Sequence, residues 1–564
     1  MYKKLWLISS IIIVCIFQNY SAVSAVIPKP GSECKIKEQI KTSNNKSLIC
    51  AKKGNKLIWK LLPALKTPSR AENRSKAEDP KPNKAEIESP VTSKPFVRDP
   101  KYKVQGENCT RNSGDVIGYD VNNLLVYLMC NNWDDKYFPR PDAPKIDQET
   151  LIPFKSEMGS MNPSIAYVAP KTISGSPRTQ ITEAEKLTDI SKCRIKDGSY
   201  YRVTPNYTQR HFTVGFPNYP ERANFINKGT MQIVPVDFPD LQGKKTPSED
   251  LAQVTKFMTE YFTRQASRPV DFKIRIPEKY IRMPKNVSDY ELAVDFFSGK
   301  WKADSSFVYA REAIKIADPF IDFTGASMIA IVVPAEVSRS QIAAFVAQAG
   351  EPGQQFITNE GEIFNLLIMA GPTGGVEGEI LNWTHETAHL FGLTDIRNVV
   401  DVSKQDSSDL GVFDLMNSGI APELLGWQRF ILGILDDKQV RCVDTYARTF
   451  HQIIPIAQPE LLPKLIVIPI NDFKAIAIES RRRHGYDLNL GSRNEGIIVY
   501  EIDTTIPYGR SAIKLVPSPS SKDGTWRRDS ALLINEFVEV SGWKISYIES
   551  GDFGDVVQVE RLSK

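Results

Sequence analysis

Histidine is scarce in this sequence, at five of 564 residues. Charge of one sign is missing as well: 71 lysines and arginines stand against 67 aspartates and glutamates. A near-neutral chain with dispersed basic residues lacks the patch that a nucleic-acid surface requires, which excludes that class of partner. The densest basic run, Arg481-Arg482-Arg483, ends an apolar stretch, where a solvated turn is expected. Beyond Phe17 no apolar run is long enough to cross a bilayer, so no transmembrane segment is expected in the mature chain. What is present is a globular composition, 41% hydrophobic and 24% charged, in a chain long enough for about two to four domains.

The start has the pattern of a secretory signal: Lys3 and Lys4, an apolar run from Leu5 to Phe17, then small residues ending in Ala25. Cleavage after Ala25 is expected, placing the protein outside the cell or on its surface; the alternative is an uncleaved N-terminal anchor. Loss of Lys3 and Lys4 then lowers the formal charge from +4 to +2. Cysteine usage agrees. With Cys15 set aside, six of the seven cysteines remain, an even number suited to an oxidising compartment. Cys34 and Cys50 bracket one short hairpin-like segment, and Cys109 and Cys130 bracket another. Each opens with Gly-x-x-Cys and is followed by a tryptophan, Trp59 or Trp133, which makes a weak internal repeat of small disulfide-stapled modules. Cys193 and Cys442 are left to pair with each other. The alternative for Cys193 is a thiol held on a catalytic metal in a latent precursor.

Two of the five histidines fall in one run, His385-Glu386-Thr387-Ala388-His389-Leu390-Phe391-Gly392-Leu393-Thr394-Asp395. Histidines four apart lie on one helix face, so both imidazoles can reach a single Zn²⁺. Glu386 faces the same cleft without being a ligand, which leaves a coordination position for water. Water on a metal is far more acidic than free water, so a carboxylate in hydrogen-bond reach can take its proton; Glu386 is the expected general base. The third protein ligand must come from off the helix. Gly392 permits a left-handed turn that swings Asp395 beneath the ion. Asp401, Asp406, Asp409 and Asp414 follow closely, with Asp401 and Asp414 next in line as ligands; such an acidic loop is ordinarily solvated or at most a Ca²⁺ site. His211, His451 and His484 lie outside any ligand spacing and are expected to be structural.

The pattern His-Glu-x-x-His-x-x-Gly-x-x-Asp resembles the aspartate-ending metzincin motif, and its surroundings resemble the immune-inhibitor-A-like secreted zinc metallopeptidases of bacteria (peptidase family M6). Gly229 to Asp240 resembles that family's opening strand, Phe413-Asp414-Leu415-Met416-Asn417 its methionine turn, and Pro422 to Trp427 with Leu432-Gly433 its following helix. The likeness spans Phe216 to Asp503. It implies a metalloendopeptidase acting on protein or peptide substrates, with zinc on His385, His389 and Asp395, Glu386 as base and acid, and Met416 beneath the metal. Some metzincins carry a tyrosine two residues past the methionine. Ser418 stands there in this chain, so help to the oxyanion beyond the metal is unassigned. One rival reading is a zinc hydrolase with another carbonyl substrate. A second is a non-enzymatic protein that contacts a cell wall or surface through its two-cysteine modules.

Residues 63–103, rich in proline, lysine and glutamate, cannot bury a core and are expected to be a disordered linker. The expected division is a signal peptide at 1–25, a two-cysteine module at 26–62, the linker at 63–103, a second two-cysteine module with a propeptide-like or accessory region at 104–207, the zinc peptidase domain at 208–437 and a C-terminal domain at 438–564. In the peptidase domain strands at Met231–Phe238, Phe272–Ile276, Ser327–Val333 and Phe364–Met369 alternate with helices. One helix is capped by Ser248, one starts at Ser305 or Ser306, and the zinc helix runs from Val376 to Phe391. Phe364–Met369 is the expected sheet edge for an extended peptide. A helical stretch follows at Leu424–Leu435. After Cys442, six short β-rich runs without helices predict an antiparallel sandwich. The fold class is therefore α/β (α+β), a metzincin-like domain followed by a β-sandwich.

Overall fold

The structure, a computed structural model, describes residues 40–43, 46–53, 56–61, 102–109, 116–119, 125–131, 136–139, 163–198, 203–204, 207–208, 214–292, 303–337, 341–342, 345–348, 355–372, 377–397, 409–506, 510–524 and 527–563. The signal segment, nearly all of the linker, Cys34, His211, Asp401 and Asp406 lie outside the described residues. The chain divides into two units, 1–95 and 96–564.

In the first unit, an antiparallel meander of Ile40–Ser43, Lys46–Lys53 and Lys56–Leu61 puts Cys50 on its middle strand opposite Trp59. The second unit opens on a four-stranded sheet whose first strand, Lys103–Val104, runs parallel to the next. Val116–Tyr119, Leu125–Asn131 and Lys136–Pro139 form a meander with Cys130 on the middle strand opposite Tyr137. Cys109 is disulfide-bonded.

The body of the second unit is a mixed α/β assembly. Strand β1 (Gly229–Asp237) is buried almost throughout, as a strand covered on both faces must be. Helix α1 (Pro247–Gln265) starts with a capping box: the Thr246 hydroxyl accepts from the Glu249 amide, the Glu249 carboxylate accepts from the Thr246 amide, and Pro247 takes the first helical position. The cap is thus Thr246, and Ser248 lies inside the helix. Then come β2 (Phe272–Arg275), β3 (Ile281–Arg282), α2 (Ala303–Ala317), β4 (Met328–Val332), β5 (Phe345–Gln348), β6 (Asn365–Met369) and α3 (Glu377–Leu390). The strand order is β2-β1-β4-β6-β5, with β3 also pairing with β1. Every pair is parallel except β5 with β6. Alternate residues serve opposite faces. Met231, Ile233, Ala330 and Leu367 join Phe262 of α1 and Ile380 and Leu381 of α3, while Val234, Ile329, Ile331 and Ile368 join Tyr309 and Ala313 of α2. Strand β6 is therefore interior, not the expected edge. The edge on that side is β5, with β2 at the other end of the sheet.

Helix α4 (Gly426–Ile431) is the short core of the expected helical stretch. Among the described residues nine strands follow: β7 (Val440–Cys442), β8 (Thr449–Ile453), β9 (Leu465–Asn471), β10 (Lys474–Arg481), β11 (Gly496–Asp503), β12 (Ile513–Val516), β13 (Phe537–Val540), β14 (Trp543–Gly551) and β15 (Gly554–Arg561). They make two sheets, β7-β9-β10-β11-β12 and β8-β15-β14-β13. The first is mixed, because β7 runs parallel to β9. The run at Ala531 becomes a strand only from Phe537, after Asn535 takes φ 72°. Val467, Ala477 and Tyr500 face the cluster that also holds α1 and α3, while Ile466, Ile478 and Val499 face Ile545 and Val557 of the second sheet. Covered on both faces, the first sheet shares one core with the region before residue 438.

Residues 163–193 lie along these sheets. Val168 pairs with Gly485, the Arg178 amide donates to Glu549, and Cys193 is bonded to Cys442 with Cα atoms 5.7 Å apart. The disulfide disposes of the alternative in which Cys193 sits on a metal. Both half-cystines are buried and 249 residues apart in sequence, so the bond removes a large loop from the unfolded ensemble. Cys193→Ser with Cys442→Ser is expected to lower stability by about 2–5 kcal/mol, read from urea midpoints of the oxidised wild type and the double variant. An unchanged midpoint would contradict this.

Candidate metal centre

Helix α3 carries the histidine motif, and its end determines where the motif leads. The Gly392 amide donates to the His389 carbonyl (2.9 Å) and the Leu393 amide to that of Ala388 (3.4 Å), with Gly392 at φ 95°. These paired bonds close a helix through a left-handed residue, as the sequence predicts for Gly392. Asn218 Nδ2 donates to the Phe391 carbonyl (2.8 Å) and the Ala223 amide to that of Leu390 (3.2 Å). Arg222, buried, lies against the same turn and donates to Asn365 Oδ1 (2.9 Å). Burial lowers its pKa to about 10, still cationic at neutral pH and suited to the negative end of a helix. A Cβ at Gly392 would stand 2.5 Å from Asn218 Oδ1. Gly392→Ala is therefore expected to cost about 1–3 kcal/mol, through a strained φ and a displaced Asn218. A denaturant midpoint equal to wild type would contradict that expectation.

The chain past Gly392 returns Asp395 to the two histidines. Its Oδ1 lies 3.1 Å from His385 Nε2 and its Oδ2 3.8 Å from His389 Nε2. The other ring nitrogens are already engaged: His385 Nδ1 with the Leu415 carbonyl (2.9 Å) and His389 Nδ1 with that of Leu393 (2.7 Å). A carbonyl can only accept, so each Nδ1 carries the hydrogen and each neutral ring presents its Nε2 lone pair. Ligand atoms of His385, Glu386 and His389 all lie within 4.8 Å of one another. Tetrahedral zinc with bonds of about 2.0–2.1 Å separates its ligand atoms by roughly 3.3 Å; the Asp395 oxygens, 3.1 and 3.8 Å from the two imidazoles, suit that spacing, and Glu386 is also near enough to both rings to belong to a metal-holding group. The sequence-named residues His385, Glu386, His389 and Asp395 are thus brought together.

Electrostatics follow the distances. Burial opposes ionisation of Asp395, but His389 and His385 hold its carboxyl below the usual range, His385 by a hydrogen bond from Nε2 that forms when the metal-free ring is protonated. Burial also opposes charge on His385, where the nearer Asp395 oxygen outweighs it and raises the pKa; on the more distant His389 burial prevails and lowers it.

Beneath the helix, residues 413–418 form a tight turn. Asp414, at φ 76° and buried, accepts from the Met416 amide (2.7 Å), from the Leu425 amide (2.7 Å) ahead of α4, and from the Gln428 side-chain amide. Burial pushes its pKa up to about 6, against the pull of the two backbone amides. Asp414 thus anchors the turn instead of serving as a spare ligand, and Asp409 faces Lys514 (3.8 Å). The turn supports the site twice: Leu415 through His385, and the Met416 carbonyl by accepting from the Ile396 amide (3.1 Å) beside Asp395. Ser418 Oγ donates back to the Val412 carbonyl (2.7 Å). Sequence reasoning missed Asp414 and Arg222 in these roles. The only signal was a carboxylate two residues before Met416; nothing local marks Arg222. A cavity of about 720 Å³ bounded by Arg194, Phe216, Arg268 and Phe430 contains none of the metal-site residues. No family model, no curated protein and no solved structure matches the chain.

Proposed function

We propose that the chain is an exported zinc metalloendopeptidase of metzincin type, with its C-terminal sheets forming a β-sandwich packed on the catalytic region. One observation carries this reading: two imidazole Nε2 atoms, each fixed by an Nδ1 hydrogen bond to a carbonyl, converge on the Asp395 carboxylate beside Glu386. Zinc bound there supplies a Lewis acid for the scissile carbonyl and makes water acidic enough to lose a proton near neutral pH. Glu386 accepts that proton as the water oxygen bonds to the carbonyl carbon, and returns it to the amine nitrogen as the C–N bond breaks. Leu415 and Leu393 keep the rings in register through both steps. A peptide is favoured over other carbonyl substrates because the antiparallel edge strand β5 lies beside α3, where its free main-chain groups can pair with an extended chain. Incubation with a mixture of long peptides and with simple esters and amides separates the two classes. Internal cleavage of peptides supports the proposal; hydrolysis confined to small esters would remove the peptidase reading.

A further inference from the structure

The turn beneath the candidate metal centre is gripped from the C-terminal sheet, by the basic run that the sequence predicts to be solvated. Arg481, at the end of β10, is completely buried. Its Nη1 and Nη2 donate to the Glu423 carbonyl (3.1 and 3.2 Å), and its guanidinium lies 5.5 Å from the centre of the Phe413 ring. Two carboxylates orient it: Glu479 Oε1 accepts from Nε and Asp487 Oδ2 from Nη1, both at 2.7 Å. The other oxygen of Glu479 accepts from the Gly426 amide (2.6 Å) and that of Asp487 from the Glu423 amide (3.1 Å). Residues 423–426 and the ring of Phe413 are thereby clamped between β10 and the loop that carries Asp487. From this clamped segment Asp414 takes its bond to Leu425, and from this turn His385 takes its bond to Leu415.

We infer that Arg481 and Glu479 are positioning residues of the metal centre: acting through Phe413, Asp414 and Leu415, they hold His385 in its ligating orientation, so that the C-terminal sheet is a working part of the site. This explains why the sheet shares its core with α1 and α3. It also gives a reason for placing an arginine–carboxylate cluster in that core, since replacing buried ion pairs with apolar side chains is often neutral or stabilising. The planar fork of arginine can bond a carbonyl and two carboxylates in fixed directions, which a lysine ammonium cannot.

The inference rests on the proposed metal site, and its test is metal binding by the full mature chain. Zn²⁺ affinity is measured by competition with a chromophoric chelator, and site geometry by the visible absorption of the Co²⁺-substituted protein. Arg481→Lys keeps the charge and loses the fork. Glu479→Gln keeps the shape and loses the charge that faces Arg481. Each is expected to loosen Zn²⁺ by about 10–100-fold, as loss of a supporting partner does, and to shift the Co²⁺ band. Arg482→Lys is the control for disturbance of the same strand end: its guanidinium pairs with Asp555, away from the turn, and it should bind metal like wild type. Should Arg481→Lys fail to fold, Phe413→Leu removes the ring beneath the guanidinium and tests the same link, with the same loosening expected. Folded variants that bind Zn²⁺ as tightly as wild type, with an unchanged Co²⁺ spectrum, overturn the inference. A wild type that binds no divalent metal overturns the proposed function instead.

Discussion

Glu386→Gln is expected to lower peptide turnover by about 10²–10⁴-fold, and by more if the same residue also protonates the leaving amine, while zinc content and unfolding midpoint should stay at wild-type values. Glutamine has the size and shape of glutamate but cannot accept a proton from water. The proposed mechanism makes Glu386 a base and not a ligand, although its carboxylate lies within 4.8 Å of the imidazole ligand atoms, and it is only partly buried, so the exchange is expected to disturb neither metal nor core. Stability is expected to change by less than about 0.5 kcal/mol. The measurement is kcat on one cleaved peptide, beside zinc analysis of the same sample. Near-normal turnover in a zinc-loaded Glu386→Gln protein contradicts the assigned mechanism.

The second large effect belongs to the ligands. His389→Ala removes one of three donors and is expected to abolish both zinc retention and hydrolysis, because two protein ligands do not make a closed site. It also strips the Leu393 carbonyl of its Nδ1 partner in a buried position, at a cost of about 1–3 kcal/mol in the metal-free protein. Asp395→Asn is milder: an amide oxygen is a poorer zinc ligand than a carboxylate, so affinity and rate both fall without vanishing. Metal analysis after dialysis reads both variants beside the wild type. Full zinc in His389→Ala sinks the ligand set; wild-type affinity in Asp395→Asn moves the third ligand elsewhere.

Much of the site was legible because it is local. His385, Glu386, His389, Gly392 and Asp395 occupy a single run in which helix period and one left-handed glycine suffice to fix the geometry. Strands β1, β4 and β6 were legible for a related reason: buried on both faces, they read as continuous apolar runs. Strand β5, Phe-Val-Ala-Gln, was not, because it lacks the apolar–polar alternation of the equally short β2, Phe-Lys-Ile-Arg, and β7 is only three residues long. Because β5 went unseen, β6 was mistaken for the edge. The basic run 481–483 misled for the opposite reason. Local charge density predicts solvation, yet Arg481 is buried by carboxylates and carbonyls from Glu423, Glu479 and Asp487, brought together only by the tertiary fold. Arg222 and Asp414 belong to the same class, since their partners are set by packing of distant segments.

The most direct test of the central claim is zinc stoichiometry of the purified protein, paired with hydrolysis of a cleaved peptide before chelation, after chelation and after zinc is returned. The site as built predicts about one zinc per chain, loss of hydrolysis with the metal, and recovery when zinc is restored. A protein that purifies without zinc, takes none up, and hydrolyses peptides equally well in the presence of chelator contradicts it.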